Sequence, residues 1–219
     1  MIDTPTVPAC RERDIVDALA AQGYAVVANF LAEPTIVALR REAGRHAAAG
    51  ELAAAGVGRG GARMERADIR GDRVRWLDDD ASVPAERALR DALEALRSAI
   101  NRELTLGLFE FEGHYAHYAP GARYARHRDR FHDDDARVLS CVLYLNEGWC
   151  DENGGALRLY VDPGSHRDVL PVGGTLAIFL SAQFEHEVLP ATRSRWSIAG
   201  WFRRRAREQR EAAPALLVH

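Results

Sequence analysis

Residues 137–180, RVLSCVLYLNEGWCDENGGALRLYVDPGSHRDVLPVGGTLAIFL, are short apolar and β-branched runs cut by Asn153-Gly154-Gly155, Pro163-Gly164 and Gly173-Gly174. Runs of this length bounded by turn formers predict strands, being too short for helices. The same texture begins after Leu106 and lasts to Phe202: FEFEGHYAHYA and RYARHRD come before, EHEVLP and RWSIAGWF after. With RVLSCVLYLN, GALRLYV, HRDVLPV and TLAIFL these make eight strands at near-even spacing. That pattern predicts an antiparallel double-sheet jelly roll, a double-stranded β-helix.

Upstream the texture is helical. Ile15, Val16, Leu19 and Ala20 lie on one face of a helix from Arg11 to Gln22, which Gly23 ends. Tyr24–Phe30 predicts a strand, Pro34 opens a second helix reaching about Ala49, and a third is predicted from Val83 to Asn101. Gly50–Gly61 predicts a loop, and residues 62–77 predict two short strands around a turn at Arg70-Gly71-Asp72. Helices followed by strands give an α+β fold with the N-terminal helices bracing one outer face of the sheet. The expected organisation is a single domain over 1–219, with 1–105 as mainly helical support and 106–203 as the jelly-roll core.

Composition narrows the function. Apolar residues make up 47% and charged residues 28%, and the net charge of −3 comes from 29 basic and 32 acidic residues mixed along the chain. Every basic residue is arginine. This balance argues against nucleic-acid and membrane partners, and the basic tail from Arg203 to Arg207 fits a solvated helix end. No run approaches the roughly 18 apolar residues of a membrane span. The start, MIDTPTVPACRERD, has no secretory pattern. Cys10, Cys141 and Cys150 form no CxxC, which suits a cytoplasmic protein.

Chemistry concentrates in Tyr124-Ala-Arg-His127-Arg-Asp129. On a strand, residues two apart share a face, so His127 and Asp129 can reach one point. Taken alone, this spacing fits a surface strand end better than a site. Downstream lie His186, in Phe184-Glu-His-Glu-Val-Leu-Pro190, and Arg195, opening the last strand. Two histidines and a carboxylate suit a ferrous ion with open positions. If these two segments pair as a hairpin through Pro190-Ala-Thr192, His186 and Arg195 both face the interior. A buried arginine needs an anion, and its planar fork binds a carboxylate in bidentate fashion. Metal and arginine together match a chelating dicarboxylate such as 2-oxoglutarate. Tyr144 could donate to its far carboxylate and Tyr118 could reach the other end, although packing accounts for each tyrosine equally well. Val142, Leu143, Ile178, Leu180 and Ile198 are the expected apolar wall. Asp133-Asp134-Asp135 is a solvated turn or, less simply, a patch steering a basic substrate.

From Tyr24 to Trp201 the chain resembles the iron(II)- and 2-oxoglutarate-dependent prolyl hydroxylases, in the branch of the animal enzymes acting on hypoxia-inducible factor and their bacterial relatives. The resemblance rests on Asp68-Ile-Arg-Gly-Asp-Arg-Val-Arg-Trp76, Tyr118…Tyr124-Ala-Arg-His127-Arg-Asp129, Cys141-Val-Leu-Tyr-Leu-Asn146, Gly154-Gly155-Ala-Leu-Arg158, His186-Glu-Val-Leu-Pro190 and Thr192-Arg-Ser-Arg195. It implies His127, Asp129 and His186 as iron ligands, Arg195 with Tyr144 on the distal carboxylate of 2-oxoglutarate, and Tyr118 near the metal end. It implies Fe(II), 2-oxoglutarate and O2 as requirements, with ascorbate as a candidate reductant. It also implies hydroxylation of a prolyl residue at C4 in a protein substrate, elongation factor Tu in bacteria. Arg70 and Asp72 fall in the family's substrate-covering loop; without the resemblance they read as a tight turn. Ala199 stands where the animal enzymes carry threonine, and Phe184-Glu185 where they carry Asn-Pro. The alternatives are a hydroxylase of free amino acids or small metabolites, and a jelly roll that holds metal without turnover.

Overall fold

The computed structural model describes residues 9–56, 66, 68–78, 83–129 and 136–205. Part of the expected loop before residue 61, most of the first strand expected after residue 62, the acidic run Asp133–Asp135 and the end of the basic tail lie outside these residues. Three helices, α1 (Ala9–Gln22), α2 (Glu33–Ala48) and α3 (Pro84–Leu104), are interspersed with three strands, β1 (Tyr24–Val27), β2 (Ala53–Ala54) and β3 (Asp72–Trp76). Eight strands follow: β4 (Glu110–Tyr118), β5 (Tyr124–His127), β6 (Arg137–Tyr144), β7 (Leu157–Asp162), β8 (Ser165–Val169), β9 (Leu176–Leu180), β10 (Glu185–Val188) and β11 (Arg195–Arg203). They coincide with the eight runs read from the sequence.

The strands form two antiparallel sheets, a larger one in the order β1-β9-β6-β11-β4-β3-β2 and a smaller one in the order β5-β10-β7-β8. Period-two alternation divides every strand of the larger sheet between two surroundings. On one face, Tyr115, Leu139, Ile178, Ile198 and Phe202 pack with Leu89, Leu96 and Ile100 of α3 and with Ile15 and Leu39 of the other helices. The other face turns toward the smaller sheet and carries Tyr118, Tyr144, Ala177 and Phe179, which pack with Leu157, Leu159 and Val188. The helices thus brace the larger sheet and leave the inter-sheet space for a site.

Two expectations change. Arg70-Gly71-Asp72 is not a hairpin turn: Asp72 opens β3, while Arg70 bridges to Tyr124 of β5. Gly71 N–H donates to the Arg123 carbonyl at 2.9 Å, so this segment crosses from one sheet to the other. Nor do the His186 and Arg195 strands form a hairpin. β10 has β5 and β7 as neighbours, whereas β11 lies between β4 and β6 in the opposite sheet. Both edges of β10 are already hydrogen-bonded, so the chain crosses over after Val188 instead of folding back. His186 and Arg195 still face one interior, but from facing walls.

β8 is an edge of the smaller sheet, and Ser165, His166, Arg167 and Asp168 are all exposed along it.

Candidate active site

β5 and β10 carry the two histidines in direct register, His127 opposite His186. Their rings lie 4.2 Å apart, centroid to centroid. Asp129, just past β5, points back between them: Oδ1 lies 3.5 Å from His127 Nε2 and Oδ2 lies 3.5 Å from His186 Nε2. One ligand atom from each residue falls within 4.8 Å of the other two. The His127 Nδ1 contacts the Ala125 carbonyl at 2.8 Å, and His186 Nδ1 approaches the Phe184 carbonyl at 3.5 Å. A carbonyl only accepts, so each Nδ1 carries the proton and each Nε2 presents its lone pair to the shared centre.

Electrostatics agree. Burial pushes His186 down to about 4, leaving it neutral near pH 7. Burial alone would raise the Asp129 carboxyl, but His186, His127 and the Ser140 hydroxyl outweigh it and hold it well below the usual carboxylate range. Two imidazole Nε2 atoms and one carboxylate are a donor set for a divalent first-row metal.

Arg195, 1% exposed, opens β11 opposite Tyr118. Its Nε donates to the Gly155 carbonyl at 3.0 Å, and its guanidinium lies 5.1 Å from the ring centres of both Tyr118 and Tyr144. Gly155 has φ +71°, and a Cβ there would stand 2.8 Å from that of Ala191, so the position excludes a side chain. Among the described residues no carboxylate pairs with Arg195, and the buried Tyr144 hydroxyl has no hydrogen-bond partner. A buried cation lacking an acid, beside a buried phenol lacking an acceptor, fits one end of a small dicarboxylate.

His127, Asp129, His186, Arg195 and Tyr118 line a cavity of about 500 Å³, whereas Tyr144 stands behind its wall, beside Arg195. The cavity's apolar wall is Val74, Ala116, Val142, Leu157 and Val188. Of the wall expected from sequence, only Val142 belongs. Leu143, Ile178 and Ile198 alternate onto the helix side of the larger sheet, and Leu180 also lies off the cavity. Arg70 and Asp72 line the cavity as a forked ion pair, with Nε–Oδ1 at 2.7 Å and Nη2–Oδ2 at 3.0 Å. Ala199 lines it as well.

Sequence reasoning missed Ser140, His114 and Arg137. Ser140 donates to Asp129 Oδ2 at 2.7 Å, His114 is buried beside Trp76 and Trp201, and Arg137 lies 3.4 Å over the Trp201 ring. The clue to Ser140 was its place as a polar residue amid the apolar run Val138–Tyr144, on the face shared by Val142 and Tyr144.

This fold and donor set define a class of oxygenase. The sequence profile of the 2OG-Fe(II) oxygenase superfamily matches residues 113–203. The chain is 46% identical to a prolyl-4-hydroxylase from Pseudomonas putida, covering 89% of this chain and 99% of that one with a TM-score of 0.81. It belongs to the 2OG-Fe(II) oxygenases, within the prolyl hydroxylase family, whose chemistry uses Fe(II), 2-oxoglutarate and O2. A Trichoplax adhaerens prolyl hydroxylase, solved with a hypoxia-inducible factor peptide fragment, shares the fold at 24% identity and a TM-score of 0.81, over 94% of this chain and 93% of that one. Human Egl nine homolog 1 is 28% identical over 144 residues, 62% of this chain, and the chain spans only 33% of that protein. Human prolyl hydroxylase EGLN3 is 27% identical over 202 residues, 86% of this chain and 81% of that protein.

Proposed function

We propose that this protein hydroxylates a prolyl residue of a protein substrate at C4, with elongation factor Tu as the target, and that His127, Asp129 and His186 hold the iron. The likeness to the Pseudomonas prolyl-4-hydroxylase along 99% of that chain carries the prolyl reading, and elongation factor Tu comes only from the family resemblance of the sequence. Fe(II) with bound 2-oxoglutarate would supply the oxidation: one atom of O2 enters succinate as CO2 leaves, and the other enters the substrate C–H bond. The protein's own part is to hold and exclude. The Ala125 and Phe184 carbonyls keep both histidines in the ligating tautomer. Arg195 takes a carboxylate of the cosubstrate in its fork, and Tyr144 donates its otherwise unpaired hydroxyl to the same group. Val142, Leu157 and Val188 keep water from the reacting carbon. The forked Arg70–Asp72 pair, tied to β5 through Tyr124, holds the substrate-side wall.

The test is succinate release from anaerobically prepared protein given Fe(II), 2-oxoglutarate and then air. Release that depends on a proline-bearing segment of elongation factor Tu, with hydroxyproline found by mass spectrometry, is the expected result. Release with free amino acids alone would replace it with the small-metabolite reading. Asp129→Ala should abolish turnover while leaving the circular dichroism of the fold unchanged.

A further inference from the structure

Asp129 has a second set of contacts, away from the histidines. Ser140 Oγ donates to Asp129 Oδ2 at 2.7 Å, and Ser181 Oγ lies 2.9 Å from Ser140 Oγ. Both serines are buried, at 2% and 0% exposure. A hydroxyl has one proton. Ser140 spends its proton on the carboxylate, which only accepts, so Ser181 must donate to Ser140. The bonds therefore run one way, from Ser181 to Ser140 to Asp129, and each polarises the next.

The serines stand on rigid backbone. Ser140 pairs with Phe179 in the β6–β9 ladder, and Ser181, just past β9, donates its N–H to the Val138 carbonyl at 3.0 Å. Asp129 lies two residues past the end of β5, outside the ladder of the opposite sheet, so no backbone pairing of that strand fixes its carboxylate. With Oδ2 engaged by Ser140, the carboxylate is held with Oδ1 beside His127 Nε2 and Oδ2 beside His186 Nε2. From this geometry we infer that Ser140 and Ser181 are positioning residues, a hydroxyl relay from the larger sheet that orients Asp129 for metal binding.

This inference rests on the iron-site reading above, and its test keeps the two apart. Mn(II) is titrated into the metal-free protein without 2-oxoglutarate or O2, following free Mn(II) by electron paramagnetic resonance. Ser140→Ala should weaken binding about 10- to 100-fold, the usual cost of losing an outer partner of a metal ligand. Ser181→Ala should weaken it less, and Ser140→Thr, which keeps the hydroxyl, should restore it. Thermal melts of the metal-free variants should fall by a few degrees only, as one lost hydrogen bond would cause, whereas a general packing defect would collapse them. Wild-type Mn(II) affinity in Ser140→Ala would overturn the relay alone. Loss of affinity that Ser140→Thr fails to restore, or that comes with a collapse of the melt, would overturn it too. Failure of the wild-type protein to bind Mn(II) at all would overturn the site reading instead.

Discussion

A guanidinium enclosed like that of Arg195, without an acid among the described residues, persists in a folded protein when an anion completes it. Truncating a buried charged partner costs about 2–5 kcal/mol. Arg195→Gln should therefore raise the KM for 2-oxoglutarate by a factor of about 30 or more while leaving the Mn(II) affinity of the metal-free protein unchanged. Steady-state kinetics beside the titration checks both halves. His114 carries a different liability. Burial, with Arg70 and Arg137 nearby, pushes it down to about 4, against an ordinary value of about 6.5 when unfolded. Between those values the unfolded chain takes up a proton that the folded protein refuses, so stability rises with pH in this window and falls on acidification. Melts of metal-free protein should drop as pH is lowered from 6.5 to 4, and His114→Leu should make that drop shallower. His186, shifted in the same direction, would keep a residual slope in the variant.

At the scale of elements, the tightest constraint lies where β4 and β11 pair along the larger sheet. Gly200 faces Gly113, and a Cβ on Gly200 would stand 2.4 Å from the Glu112 carbonyl oxygen and 2.6 Å from the Phe111 ring. Gly200→Ala should cost about 1–3 kcal/mol, the usual price of overpacking, read as a lower urea midpoint. The eight strands and three helices were legible because their periodicity and turn residues are local properties. Which strands would be neighbours was not. Nothing in Phe184–Pro190 records that its edges go to β5 and β7, so the hairpin to Arg195 was a reasonable reading that the crossover displaced. The misplaced wall has a related cause: Leu143 and Val142 are equally apolar, and only the register with β11 settles which faces the cavity. The ligand triad was legible through spacing and resemblance; the Ser140 contact joins two sheets and has no mark in local sequence beyond a polar residue on an inward face.

On the scale of the whole molecule, the candidate site is distributed between the two sheets. His127 and His186 come from the smaller, Arg195, Tyr118 and Tyr144 from the larger, and Asp129 lies between them. A ligand held by parts that meet only on folding stabilises the fold by mass action, by about 2.7 kcal/mol at 100 times its Kd. For a chain of this size, Mn(II) at that excess should raise the melting temperature by about 5–11 °C. Differential scanning calorimetry with and without chelator measures the shift, and Asp129→Ala should show none. The rim of the smaller sheet has its own consequence. With Arg167 and the Arg158–Asp168 ion pair exposed along β8, a second molecule adding a strand there would have to strip water from these charges. The open border of this sheet therefore repels lateral growth, and concentrated solutions should resist fibril formation until those charges are removed.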